Sequence, residues 1–210
     1  MDTSGDEYTV TTLVNDLEVE TFNHGSIEYK GKTPMYGLEN NRWNIYLGSE
    51  NVTIFPSKYY WWAEGTGDYL RIGIFTALED TEDIPEGTYT FGEELPGNAS
   101  IGQGYEPGLD FGTWYFELIN DNMPNYAPIK TGNVVVSKTG DIYTITLTGK
   151  DDRQNTITAT YTGALDFVDT TIMSTTSPII KENTSKDNKK MSLYEWKKAS
   201  RAQKLMKRNY

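Results

Sequence analysis

Cysteine is missing from all 210 residues. Disulfides, thiolate zinc sites, iron–sulfur clusters and cysteine nucleophiles are therefore excluded as sources of stability or chemistry. Histidine is nearly as scarce, with His24 standing alone, so no imidazole pair is available to hold a metal. A Ser-His-Asp triad would have to use His24, yet no Gly-x-Ser-x-Gly elbow accompanies it. Phosphate-cradling loops of the Walker or dinucleotide type are absent, and Gly102-Gln-Gly104 lacks the third glycine and the following helix that such a loop needs. No catalytic residue, cofactor or metal site can be named from the sequence, and the expectation is a protein that is not an enzyme.

Long hydrophobic runs are missing too. No stretch approaches the roughly 18–20 apolar residues of a membrane-spanning helix, and no apolar signal region follows Met1. The polar Asp2-Thr-Ser-Gly-Asp-Glu7 behind Met1 would suit the mature form of an exported protein with an added start residue. Positive charge is scarce over most of the chain. Residues 181–210 hold ten Lys or Arg and three acids, which leaves residues 1–180 with nine basic and twenty-seven acidic side chains. A body near −18 repels phosphate backbones and anionic membrane surfaces, so nucleic acid is not an expected partner.

Aromatics are plentiful, at 13%, and favour pleated sheets. The clearest periodicity runs from Gly132 to Gly163, where apolar and hydroxyl residues alternate with period 2. Tyr143, Ile145 and Leu147 share one face of its middle strand, and Thr144, Thr146 and Thr148 the other. The next strand repeats this with Ile157, Ala159 and Tyr161 against Thr156, Thr158, Thr160 and Thr162. Turn residues at Ser137–Asp141 and Lys150–Asn155 separate three strands of a predicted antiparallel meander. Weaker alternation predicts strands at Tyr8–Val14, Trp43–Leu47, Val52–Phe55, Tyr69–Thr76, Thr88–Phe91 and Thr113–Ile119. Short strands between frequent turn signals predict an all-β fold, an antiparallel β-sandwich of jelly-roll or immunoglobulin-like type, with adjacent strands antiparallel. The sandwich is expected to occupy residues 1–169. A polar linker follows at 170–191, and a short basic α-helix at 192–208 opens on the capping pattern Ser192-Leu-Tyr-Glu195. The Gly- and Pro-rich residues 92–110 are expected to form a long loop.

Three features remain as candidate sites. The acids of Glu79-Asp-Thr-Glu-Asp83 read as a solvated surface run, without the Asp-x-Asp-x-Asp-Gly spacing of a calcium loop. Glu117 is a lone acid within the aromatic strand Trp114–Leu118. The most unusual feature is Tyr59-Tyr60-Trp61-Trp62. Four consecutive aromatics put two on each face of a strand, and exposed Tyr and Trp suit recognition of sugar faces or of protein. Tyr59, Tyr60, Trp61 and Trp62, with Trp114 as a neighbour, are the expected ligand-binding residues.

Ile84-Pro-Glu-Gly-Thr-Tyr89, the run from Gly132 through Ile145 and Thr156–Gly163 behind it resemble Bacteroidetes-type surface lipoproteins over roughly residues 40–165. The resemblance implies a small β-sandwich, a lipid-anchored precursor, an outer-membrane or periplasmic location and a place near glycan-capture machinery. It offers no catalytic residues to carry over, and the family's anchoring cysteine is absent from this chain, so membrane association would run only through an anchor the chain does not carry. The expected function is a non-enzymatic surface or periplasmic accessory domain, with a glycan or a protein as partner. The alternatives are a structural or protein-interaction module and, third, a glycoside hydrolase.

Overall fold

The computed structural model describes residues 10–32, 40–55, 62–91, 100–101 and 112–169. They contain fourteen strands and no helix. The strands are β1 (Leu17–Phe22), β2 (His24–Lys32), β3 (Asn41–Gly48), β4 (Val52–Phe55), β5 (Trp62–Gly65), β6 (Gly67–Thr76), β7 (Gly87–Phe91), β8 (Ser100–Ile101), β9 (Trp114–Ile119), β10 (Asn122–Pro128), β11 (Thr131–Thr139), β12 (Ile142–Lys150), β13 (Thr156–Gly163) and β14 (Asp166–Asp169). The predicted linker and terminal helix, and most of the predicted 92–110 loop, lie outside the described residues.

Twelve strands form one mixed sheet in the order β1-β13-β12-β11-β7-β8-β6-β3-β2-β14, with β9 branching from β6 and carrying β10, while β4 and β5 form a separate hairpin. The sheet doubles back over one core. Ile27, Trp43, Ile45, Leu70 and Ile72 from the β2-β3-β6 half meet Val134, Ile145, Leu147 and Ile157 from the β11-β12-β13 half in a single buried cluster. Two packed layers of this kind are what a β-sandwich requires.

The meander behaves as its alternation demands. In β12, Tyr143, Ile145 and Leu147 are buried and the threonines between them face outward. Gly140 takes a left-handed φ of 61° in the β11–β12 turn. The β12–β13 turn is organised by the buried Asp151, whose Oδ1 accepts the amides of Arg153 at 2.8 Å and Asn155 at 2.9 Å.

Two expectations are corrected. Adjacent strands are not all antiparallel: β1 runs parallel to β13, β14 to β2, and β7 to β8. The first two pairings arise because two chain segments, β1–β2 and β13–β14, pass from one layer to the other side by side. The predicted strand at Tyr8–Val14 does not form over residues 10–14. The amides of Val10 and Thr11 point to the Asp152 carboxylate instead of a neighbouring strand, and ladder pairing starts only at Leu17.

Candidate functional site

The outer face of β2, β3, β6 and β9 is the chemically richest surface among the described residues. Period-2 alternation turns Ile27 inward and Glu28 and Lys30 outward on β2, and Trp43, Ile45 and Leu47 inward and Asn44 and Tyr46 outward on β3. Register then sets Glu28 opposite Asn44, Tyr46 opposite Arg71, Arg71 opposite Trp114 and Tyr69 opposite Phe116. A face of this composition would ordinarily meet water. Here it is a second core, because the β4–β5 hairpin lays Val52, Ile54 and Ala63 onto Tyr46, Tyr69, Trp114, Phe116 and Leu118.

The rings form a continuous row across three strands. Tyr46 and Tyr69 stack with centroids 6.5 Å apart, Tyr69 and Phe116 at 5.7 Å, and Phe116 and Trp114 at 6.1 Å, separations typical of attractive offset pairs. At the β2 end of the row sits a carboxylate with no solvent exposure, Glu28. Its Oε2 accepts the Tyr46 hydroxyl at 2.7 Å and the Asn44 amide at 3.0 Å. Lys30 Nζ stands 2.6 Å from Oε1 as an ion pair. The pair thus gives a buried charge the countercharge it needs.

Burial raises the phenol pKa of Tyr46 well above its usual value, and the Glu28 carboxylate raises it further. Burial raises that of Tyr69 as well. The sign of the consequence is fixed. An unfolded chain releases these protons near pH 10 and the folded one holds them, so stability is intact below pH 10 and falls as pH rises above it. Tyrosinate absorbance should therefore show Tyr46 and Tyr69 ionising only above pH 10 and together with unfolding.

The expected site residues separate in the structure. Tyr59, Tyr60 and Trp61 lie outside the described residues. Trp62 is half-buried on β5 and pairs across the hairpin with Phe55, which is 39% exposed. Their rings meet edge-on at a centroid distance of 6.4 Å. Because Val52, Ile54 and Ala63 take the hairpin's inward positions, Phe55 and Trp62 occupy its outward face. Trp114 is not a neighbour on an open platform. It is 0% exposed, since the hairpin covers the face it occupies.

Two other acidic features complete the search. Glu117 is not alone: Asp68 faces it across β6 and β9. Tyr115 donates to Asp68 at 2.6 Å and Asn125 to Glu117 at 2.5 Å. The two carboxylates are neighbours in one sheet, whereas glycoside hydrolysis needs a pair flanking the bond to be broken. The 79–86 run borders an open concavity of about 680 Å³. Glu79, Glu82 and Glu86 are exposed there, and Asp83 is held by Lys138 and by the Tyr143 hydroxyl. Among the described residues no group of three or more His, Asp or Glu side chains is placed to hold a metal ion.

Glu28 carries no sequence motif. The signal that could have found it is Glu28 and Lys30 two residues apart in a strand, on the face opposite Ile27 and Tyr29. Comparison with protein families, with curated proteins and with solved structures gave no match to this chain.

Proposed function

We propose that this protein is a non-enzymatic accessory domain of the bacterial surface or periplasm that binds a neutral glycan through the aromatic tip of the β4–β5 hairpin. The observation that carries this reading is the Phe55–Trp62 pair. Two rings stand opposite each other on the outward face of a hairpin that is separate from the main sheet, and the six residues joining them include Tyr59, Tyr60 and Trp61. Flat, rotamer-poor side chains lose little entropy on binding and stack on the apolar faces of sugar rings. A net charge near −18 over residues 1–180 favours an uncharged polymer over an anionic one. The surface location rests on the resemblance to Bacteroidetes-type lipoproteins, with the lipid anchor supplied by a precursor.

The test is tryptophan emission quenched by iodide, with and without a panel of soluble neutral polysaccharides. Of the five tryptophans, Trp43 and Trp114 are fully buried and escape the quencher, so protection by a glycan reports on the remaining three. In the Phe55→Ala and Trp62→Ala variants, glycan affinity is expected to fall tenfold or more. Stability should drop by no more than about 1–2 kcal/mol, because both side chains keep part of their surface in water. Emission shielded from iodide and unchanged by every glycan would replace this reading with a protein-interaction surface at the same hairpin.

A further inference from the structure

The outward face of the β4–β5 hairpin carries a second cross-strand pair beside its two rings. Period 2 puts Thr53 on the same side of β4 as Phe55, and Glu64 on the same side of β5 as Trp62. Register sets Thr53 directly opposite Glu64, one row from the Phe55–Trp62 pair. Thr53 is exposed and Glu64 half-buried, and among the described residues neither side chain has a hydrogen-bond or ion-pair partner. The hairpin does not need this pair. Its ladder, the packing of Val52, Ile54 and Ala63 beneath it and the tether from Gly65 to Asp121 hold it in place. The rings themselves leave recognition incomplete. Their planes are inclined by 72°, so one sugar ring can lie face-on to only one of them. Stacking holds a sugar, whereas a few placed polar groups fix its orientation and give specificity.

We propose that Glu64 and Thr53 are the hydroxyl-reading half of the glycan site, an inference that rests on the glycan reading above. They take the sugar unit next to the one stacked on the rings. Rows on one face of a strand are about 6–7 Å apart, a step long enough to carry recognition from one unit to the next. An ionised carboxylate only accepts, and its two oxygens can take two donors in parallel, which fits adjacent hydroxyls on a neutral sugar. Thr53 Oγ1 both donates and accepts. Residues directly opposite on paired strands have Cβ atoms about 4.5–5.5 Å apart, so both groups reach hydroxyls of the same unit. The carboxylate also works against the wrong ligand. A uronic acid or sulfated unit would bring like charge against Glu64, which has no ion-pair partner to offset it. The ligand class is thus a neutral oligosaccharide of two or more units, with free neighbouring hydroxyls on the unit over Glu64.

The deciding experiment is calorimetric titration of the full chain with soluble starch, xyloglucan and galactomannan. It compares the parent with Phe55→Ala, Trp62→Ala, Glu64→Ala, Glu64→Gln and Thr53→Val. For whichever polysaccharide binds the parent, Glu64→Ala is expected to weaken binding about tenfold or more, as loss of hydrogen bonds to a charged acceptor does. Glu64→Gln keeps one acceptor oxygen and should recover part of that affinity, and Thr53→Val should lose about threefold. These three variants should unfold at the parental urea midpoint, because neither side chain belongs to the cluster beneath the hairpin. Affinity lost in Phe55→Ala and Trp62→Ala but unchanged in Glu64→Ala and Thr53→Val would overturn this inference and leave the glycan reading standing. A parent that binds none of the three polysaccharides would sink both. Binding abolished by EDTA would make Glu64 a cation ligand and would overturn the proposal as well.

Discussion

Replacing Glu28 by Ala should destabilise the protein by about 3 kcal/mol, the value expected when a buried charged acceptor is withdrawn from several donors at once. Tyr46 and Asn44 lose their acceptor at a depth where neither can turn to solvent, and each bond to the carboxylate is charge-assisted, at 2.7 and 3.0 Å. Lys30 contributes less to the loss, because its side chain is 29% exposed and its ammonium group can still be hydrated. In a domain of this size the change corresponds to a fall of roughly 6–12 °C in the thermal midpoint. Urea unfolding with an unchanged slope checks it. A change below about 0.5 kcal/mol would mean that the network is not the structural feature its geometry indicates.

The companion variants separate stability from function. Glu28→Gln keeps an acceptor for Tyr46 and should cost less than half as much as Glu28→Ala. The double variant Glu28→Leu with Lys30→Met removes both charges together and leaves no unpaired ammonium, but it still takes the acceptor from Tyr46 and Asn44, so it should cost about as much as Glu28→Ala or somewhat less. If the double variant folds but loses binding at the neighbouring hairpin, the buried charges serve recognition. Retained binding would assign them to the architecture alone.

The legible part of this fold is the part governed by one alternation and one buried face. From Val134 to Tyr161 each strand meets core on one side and water on the other, so period 2 in the sequence is period 2 in burial. The outer face of β3, β6 and β9 obeys a different rule. Asn44, Tyr46, Tyr69 and Trp114 occupy positions that alternation alone assigns to solvent, yet all are buried, and the last three share a cluster with the hairpin that folds back from residues close in sequence to β3. Nothing within Trp114–Leu118 encodes that cover, which is why Trp114 read as a surface ring. The parallel pairings of β1 with β13 and of β14 with β2 join segments far apart in the chain, so no local turn signal announces them. The candidate site was half visible: the aromatic run at 59–62 marks the hairpin, whereas the Glu28 carboxylate emerges only from the register of β2 against β3.

That hairpin hangs on Gly65, and Gly65→Ala is expected to release it. The residue sits at φ 121°, where an L side chain is strained, and an added Cβ would fall 1.9 Å from the Asn51 carbonyl oxygen, an overlap with backbone that no rotamer relieves. The same residue anchors β5 to the β9–β10 turn: its amide donates to Asp121 Oδ1 at 2.7 Å and its carbonyl accepts the Asp121 amide at 3.0 Å. Moving Gly65 to accommodate a methyl group therefore breaks both its pairing with Val52 and its tether to Asp121. The expected cost is about 2–4 kcal/mol, combining backbone strain with the lost contacts, and it should be localised. Hydrogen exchange is expected to accelerate in Val52–Phe55 and Trp62–Gly65 while β11, β12 and β13 stay protected, since the hairpin is a separate two-stranded sheet with its own small cluster. Glycan affinity should fall in parallel, because Phe55 and Trp62 lose the scaffold that holds them opposite each other. Unaltered exchange in both hairpin strands would show that the hairpin does not depend on this glycine. Accelerated exchange with unchanged glycan binding would place the recognition site elsewhere on the molecule.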